Sequence, residues 1–409
     1  MADNVRFSAR TQWDLAETPL AQALRRRRAA GRPIFDLTAS NPTHCGFEYD
    51  AAGILAALAD ERALRYDPEP RGILQARQAV CEYYAARGAP VSPDRVLLAT
   101  STSEAYSWLF RLLCDAGDEV LIAQPSYPLF DFLAQIEDVR LVPWPLLYDH
   151  AWQIDFEALR RRISRRTRAI ALVHPNNPTG HFTPDGERRE LERICAEHGL
   201  ALIVDEVFLD FPFAGHEARS FAAALPPLPG SAEPAPPRPP TLTFVLSGIS
   251  KIAALPQMKA AWIAAFGPEP ELSAALARLE VVADTFLSMN APVQWALPAW
   301  LAQCHGLQTQ IRNRTAANLR TLDRVLRPHP ALTRLAVEAG WYAILRVPAL
   351  EADEDLALRL VERGVSVHPG YFFGFAASGW LVLSLLAPET DFRLGVETIC
   401  AVLQPDQPG

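Results

Sequence analysis

Six short apolar runs, at 95–99, 119–123, 169–173, 201–204, 242–246 and 262–266, are separated by longer amphipathic stretches such as 104–114 and 186–198. Buried strands alternating with helices pack in one dominant way, as a mostly parallel sheet covered by helices on both faces. In such sheets ligands bind beyond the carboxyl ends of the strands. The residues that follow each run therefore carry the most information.

The rest of the chain sets limits. At 409 residues, about two domains are expected. With 49% hydrophobic and 21% charged residues, disorder and collagen are excluded. No apolar run approaches the ~20 residues of a membrane span. Residues 1–10 are polar and lack a signal-peptide core, which points to the cytoplasm. A net charge of -8 argues against nucleic-acid binding, and the run Arg25-Arg26-Arg27-Arg28 reads as a solvated helix face. The six cysteines are scattered without metal-ligand spacing, so neither a metal site nor a disulfide framework is expected. Residues 225–240 are proline-rich and read as a surface-loop insertion within the sheet region. From 276 to 326 the pattern is helical, interrupted by Pro292 and Pro298, and the segments 341–347, 356–362 and 381–386 suggest a smaller α+β unit. No Gly-x-Gly-x-x-Gly follows the early strands, which disfavours a dinucleotide-binding oxidoreductase.

The strand ends are unusually polar. After the first run comes Thr100-Ser101-Thr102-Ser103-Glu104, then a helical stretch. Small hydroxylated residues cap helices, and the same free N–H groups and dipole also hold phosphate. After the second comes Pro125-Ser126-Tyr127-Pro128, where the tyrosine either packs into its loop or offers a face to a flat ligand. His174-Pro175-Asn176-Asn177-Pro178-Thr179-Gly180 is either a plain turn or a place where an asparagine amide donates to a ligand oxygen. Asp205 and Glu206 close the fourth run. A carboxylate there is costly unless a cap, a salt bridge or a protonated ring nitrogen meets it.

Ser247-Gly248-Ile249-Ser250-Lys251 follows the fifth run. The chain has only two lysines, Lys251 and Lys259, against 37 arginines. Arginine has taken over generic positive charge, and only lysine has an amine that can lose its proton and attack a carbonyl. Together the strand ends offer a phosphate cradle, an aromatic plate, an amide donor, a carboxylate and an amine. These are the groups that pyridoxal 5′-phosphate needs.

The ordered series 66–72, 100–105, 125–128, 177–180, 205–208 and 250–259 resembles the class I/II aminotransferases of fold type I, the aspartate-aminotransferase superfamily, over nearly the whole chain. The resemblance implies an α/β large domain with a mostly parallel seven-stranded sheet and a smaller α+β domain. It divides the chain into an N-terminal segment packing with the small domain (1–50), a large pyridoxal-phosphate-binding domain (51–285) and a small C-terminal domain (286–409). It assigns Lys251 the Schiff base and the proton shuttle, Asp205 the pyridine nitrogen, Asn177 the phenolic oxygen and Tyr127 the ring face. Ser101, Thr102, Ser103, Ser250 and Lys259 would hold the phosphate. Tyr66 would reach the phosphate of a second copy in a homodimer. The reaction implied is amino transfer between an amino acid or amine and a keto acid, with neither nucleic acid nor membrane as partner.

Four departures stand out. Phe208 replaces a usual tyrosine that donates to the phenolic oxygen. Gly248 replaces a usual serine, for which Ser247 or Ser250 compensates. Lys259 replaces an arginine, keeping the charge but not the bidentate fork. Val382 replaces the arginine that clamps the substrate carboxylate, so Arg71, Arg346 and His368 become candidates for that work. With Trp341, Tyr342, Tyr371, Phe372 and Phe373 nearby in sequence, a hydrophobic substrate is expected. The loss of the clamp also leaves open a lyase, decarboxylase or cyclase on the same fold. A cofactor-binding DNA sensor is disfavoured because no helix-turn-helix precedes Asn41-Pro42.

Overall fold

A computed structural model describes residues 6–127, 130–227, 239–287 and 289–404. Pro128 and most of the proline-rich stretch, 228–238, lie outside these residues. The main sheet contains β1 (Val96–Ala99), β2 (Glu119–Gln124), β3 (Arg140–Asp149), β4 (Ala151–Ile154), β5 (Thr167–Val173), β6 (Ala201–Asp205), β7 (Thr243–Gly248) and β8 (Ala261–Phe266). Their spatial order is β1-β8-β7-β6-β5-β2-β3-β4. The pairs β7–β6, β6–β5, β5–β2 and β2–β3 are parallel, and β8 runs antiparallel between β1 and β7.

Seven of these strands form the expected sheet, and a short hairpin strand, β4, extends it at one edge. β3 carries Pro143 and Pro145, which break the apolar pattern and hide the strand in the sequence. Both prolines fall where β3 pairs with β2 on one side, before its other side meets β4 from Leu146 onward. A strand tolerates proline at such an open edge because no ladder donor is lost there.

Alternation along the strands separates two cores. Val96, Leu98, Ile170 and Leu172 enter one face, whereas Leu97, Ala99, Ala169, Ala171 and Val173 enter the other. The 276–326 region is a series of helices, Glu271–Thr285, Ala291–Gln303 and His305–Leu326. Pro292 occupies the first turn of the second of these, where its missing N–H costs nothing, and Pro298 lies inside that helix without ending it.

A second sheet contains β9 (Thr333–Arg334), β10 (Tyr342–Arg346), β11 (His368–Pro369) and β12 (Trp380–Ser384), in the order β9-β10-β12-β11. It has its own apolar core with helices Asp353–Glu362 and Glu389–Leu403. Phe35 and Asp36 pair with Val365 and Ser366, and helix Pro19–Ala29 packs on helix Asp353–Glu362. In the arginine run, Arg25, Arg26 and Arg28 are exposed, while Arg27 turns inward to donate to the carbonyls of Pro33 and Glu362. No helix among the described residues is long and apolar enough to cross a membrane.

Candidate active site

The carboxyl ends of β1, β5, β6 and β7 open onto one cleft of about 280 Å³. Its walls include Ser101, Thr102, Ser103, Tyr127, Asn177, Asp205, Phe208, Ser250, Lys251 and Lys259. Every residue that the sequence assigned to the cofactor, except Tyr66, is therefore brought together. Tyr66 is 81% exposed and does not line the cleft of its own chain.

Helix Thr102–Leu113 starts at the cleft. Ser101 is its N-cap: the hydroxyl accepts from the Glu104 N–H at 3.1 Å, while the Glu104 carboxylate accepts from the Thr100 N–H and hydroxyl. Capping and phosphate binding are compatible here, since Thr102 and Ser103 form the first helical turn with the positive end of the dipole. Lys259 reaches the same cleft from a left-handed backbone conformation, φ 55° and ψ 61°. A non-glycine residue held there is strained, and such strain is concentrated at functional sites.

Asp205 and Glu206 diverge. Glu206 is buried away from the cleft, accepting from Ser220 Oγ at 2.7 Å and the Phe221 N–H at 2.6 Å. Asp205 faces the cleft and accepts from the Val207 N–H at 3.1 Å. Burial pushes its carboxyl up to about 7, against the opposing pull of that N–H and of Lys251.

Lys251 stands in the short helix Ile249–Ile252 directly after β7. Burial brings its amine down to about 8, and Asp205 resists the shift. The Nζ atom lies 4.9 Å from the Trp341 ring centroid and 5.7 Å from that of Phe208. An amine with this value is a competent nucleophile near neutrality.

The departures find physical reasons. A Cβ on Gly248 would meet Ala260 O at 2.8 Å and the Ala261 Cβ at 2.9 Å, so the neighbouring strand closes over the place where a serine side chain would stand. Ser250 lines the cleft, whereas the buried Ser247 hydroxyl has no partner and does not. Val382 is fully buried in β12, paired with Ile344 and His368. None of the replacement cations lines the cleft. Arg71 is tied to Glu280 and the Asp94 carbonyl, Arg346 is exposed beside the Trp380 ring, and burial lowers the pKa of His368 next to Phe372 and Phe373. Of the aromatic residues near in sequence, only Tyr342 joins the cleft. Trp341 packs against Phe208 and Phe211 beneath Lys251, Phe373 is core, and Tyr371 and Phe372 are partly exposed.

Residues missed in the sequence also line the cleft: Ser40, Tyr106, Phe130, Leu133, Val207 and Pro256. Tyr106 was legible in one respect, since it falls one turn after Thr102 on the same helix face. Ser40 adjoins the Asn41-Pro42 motif but carries no pattern of its own.

The site fits pyridoxal phosphate on its own terms. The Asn177 side-chain amide brings a donor to the cleft, the helix start and Lys259 suit an anion, and a carboxylate and an amine share the same space. Residues 34–397 match the family described as aminotransferase class I and II. The chain is 28% identical to the aspartate/prephenate aminotransferase of Thermus thermophilus, over 94% of each chain. It is 25% identical to the glutamate-pyruvate aminotransferase AlaA of Escherichia coli over 68% of this chain, a match that spans 66% of that enzyme. An alanine aminotransferase structure from Pyrococcus furiosus superimposes with a TM-score of 0.84 at 22% identity, covering 97% of this chain and 99% of the other.

Proposed function

The chain belongs to the class I and II aminotransferases, whose cofactor is pyridoxal 5′-phosphate, and from that premise we propose that it moves an amino group between an amino acid or amine and a keto acid. The observation that carries this reading is the pairing, in one cleft, of a buried carboxylate at a strand end with an amine of lowered proton affinity. The bound cofactor supplies a carbonyl that exchanges amines and a ring that draws electrons from the substrate.

The chain's own groups do the rest. Lys251 Nζ would hold the cofactor's carbonyl carbon and would move the proton at the substrate's α-carbon. Asp205 would keep the ring nitrogen protonated, Asn177 would donate to the phenolic oxygen and Tyr127 would cover the ring. Ser101, Thr102, Ser103, Ser250 and Lys259 would hold the phosphate. The matched relatives are named for transamination, which supports that reaction over lyase, decarboxylase or cyclase chemistry.

The active form we infer is a homodimer in which Tyr66 reaches the second copy's phosphate. Leu64, Tyr66 and Val281 are exposed at 87%, 81% and 66%, on segments joined by the Arg71–Glu280 ion pair. Covering such apolar surface is the usual role of an obligate interface. Residues 1–50 belong with the small unit 286–409, as their pairing with Val365–Ser366 suggests, and 51–285 form the cofactor-binding unit. The setting is the cytoplasm.

The test is to load the protein with pyridoxal phosphate, reduce it with borohydride and map the peptides. The pyridoxyl group is expected on Lys251. Its appearance on Lys259, or no release of keto acid from any amino donor tried, overturns the reading.

A further inference from the structure

We propose that Trp13 is a positioning residue for the apolar wall of the cleft: its ring braces helix Phe130–Ile136 from outside and so sets where Phe130 and Leu133 meet a substrate side chain. The inference rests on the reading of the cleft as an amino-transfer site, and places part of that site's selectivity in the N-terminal arm.

Phe130 and Leu133 line the cleft from a helix of seven residues. A helix this short does not hold itself, so its place is set by what packs on it. Positions 130, 133, 134 and 137 fall on one face. Phe130, Leu133 and Ala134 join an apolar core there, and Glu137 accepts from Arg111 Nε at 2.8 Å and from the Ser107 hydroxyl.

The opposite face carries Phe132 and Gln135, and the arm lies against it. The Trp13 ring meets Phe132 edge-on at 5.6 Å and 80°, and its indole N–H donates to Gln135 Oε1 at 2.6 Å. An edge-on pair is an attractive arrangement of two rings, and the indole N–H finds the partner it needs. Arg10 adds an ion pair to Asp138 at 2.6 Å, exposed enough to fix register more than stability. Of residues 6–19, all but Trp13 are exposed, so this one side chain does the docking. The far end of the arm is fixed as well. Leu20 enters the core of the second sheet, and helix Pro19–Ala29 packs on helix Asp353–Glu362. The arm therefore runs from that core to the outer face of a cleft helix.

The experiment measures kcat/KM for leucine and for alanine, against one keto acid, in enzyme loaded with pyridoxal phosphate. Wild type, Trp13→Ala, Leu133→Ala and the double variant are compared. Amide hydrogen exchange of residues 130–136 is followed in the ligand-free proteins. In Trp13→Ala that segment should exchange faster, while β5 and β6 keep their wild-type rates. The leucine-to-alanine ratio should fall by roughly fourfold or more, the worth of one buried methylene group, with alanine turnover unchanged. In the Leu133→Ala background, Trp13→Ala should change the ratio much less. Gln135→Ala, which removes only the acceptor, should shift both readouts in the same direction. Equal losses for the two donors would assign Trp13 to general stability and overturn the proposal, as would an unchanged ratio or unchanged exchange of residues 130–136. If wild type releases keto acid from neither donor nor any other tried, the amino-transfer reading itself falls and takes the selectivity role with it, whatever the exchange rates show.

Discussion

Lys251 Nζ lies 4.9 Å from the centre of the Trp341 ring. The first residue follows β7 and the second immediately precedes β10, so two sheets meet at this amine. The Phe208 ring joins them, meeting Trp341 edge-on at 5.3 Å. Ring faces favour a cation by ~0.5–2 kcal/mol, whereas burial disfavours it. Burial wins, since the amine falls from 10.5 to about 8.

The scarcity of lysine makes that value measurable. With two lysines in the chain, selective labelling of the ε-carbon gives two resonances. One should titrate near 8 in the ligand-free protein and vanish in Lys251→Ala. Trp341→Leu should move that midpoint lower, because the favourable ring face is gone while the burial remains. A midpoint that rises would mean that Trp341 acts mainly by excluding water.

Asp205 yields a prediction about stability. Its folded-state pKa, about 7, exceeds the ordinary 3.8. The folded chain therefore binds the extra proton between those values. The stabilisation is complete below about 3.8 and is lost as pH rises through about 7. Asp205→Asn removes this loss. In urea unfolding of ligand-free protein, the variant should gain on wild type between pH 5 and pH 7.5. A difference that stays constant over that range would show that the buried carboxylate is relieved by other means.

How far the sequence reveals this site depends on how local each signal is. Asp205, Asn177 and Lys251 could be read because each lies in the short stretch just beyond a buried apolar run, and the strand-end rule needs only that run. Lys251 was further marked by the rarity of its type. Trp341 and Tyr106 could not be read in the same way. The first reaches Lys251 across ninety positions of chain through packing of two sheets, and the second is one apolar position among several on an amphipathic helix. β3 was hidden by Pro143 and Pro145, whose tolerance depends on an open sheet edge that no local pattern announces.

Gly248 tests the closeness of β7 and β8. The Gly248–Ala261 pairing leaves the added Cβ of a serine 2.8 Å from the Ala260 carbonyl and 2.9 Å from the Ala261 Cβ. Backbone on one side and a paired strand on the other leave little room to relax. Gly248→Ser should destabilise the protein by about 1–3 kcal/mol in urea unfolding, the usual cost of overpacking. A variant as stable as wild type would mean that the two strands separate easily.

The dimer is tested by complementation. Lys251→Ala lacks the amine and Tyr66→Phe lacks the hydroxyl proposed to cross to a second copy. Hybrids of the two should contain one site free of both lesions. Refolding the variants together should recover more activity than either parent shows alone. No recovery in a mixture that forms hybrids, or full wild-type activity from a monomer in light scattering, would count against the crossing.

The substrate is the last matter, and Val382 decides its direction. The residue is wholly buried between Ile344 and His368, and the described cations that line the cleft are Lys251 and Lys259. The first is the amine proposed to hold the cofactor, and the second is proposed, with the hydroxyl groups, to hold the phosphate. Neither is free to grip a substrate carboxylate. Around the remaining space stand Tyr127, Phe130, Leu133, Val207, Phe208 and Tyr342, which reward apolar surface at about 25 cal/mol per Å² buried. A second carboxylate would enter this space without a partner and pay for its lost water. Hydrophobic amino acids or amines should therefore exceed aspartate and glutamate in kcat/KM by on the order of tenfold or more, the worth of at least one charge-assisted hydrogen bond. Steady-state rates with a panel of donors against one keto acid give the ranking. Aspartate turned over as efficiently as leucine or phenylalanine would sink the idea and would require a cation delivered from a second copy of the chain.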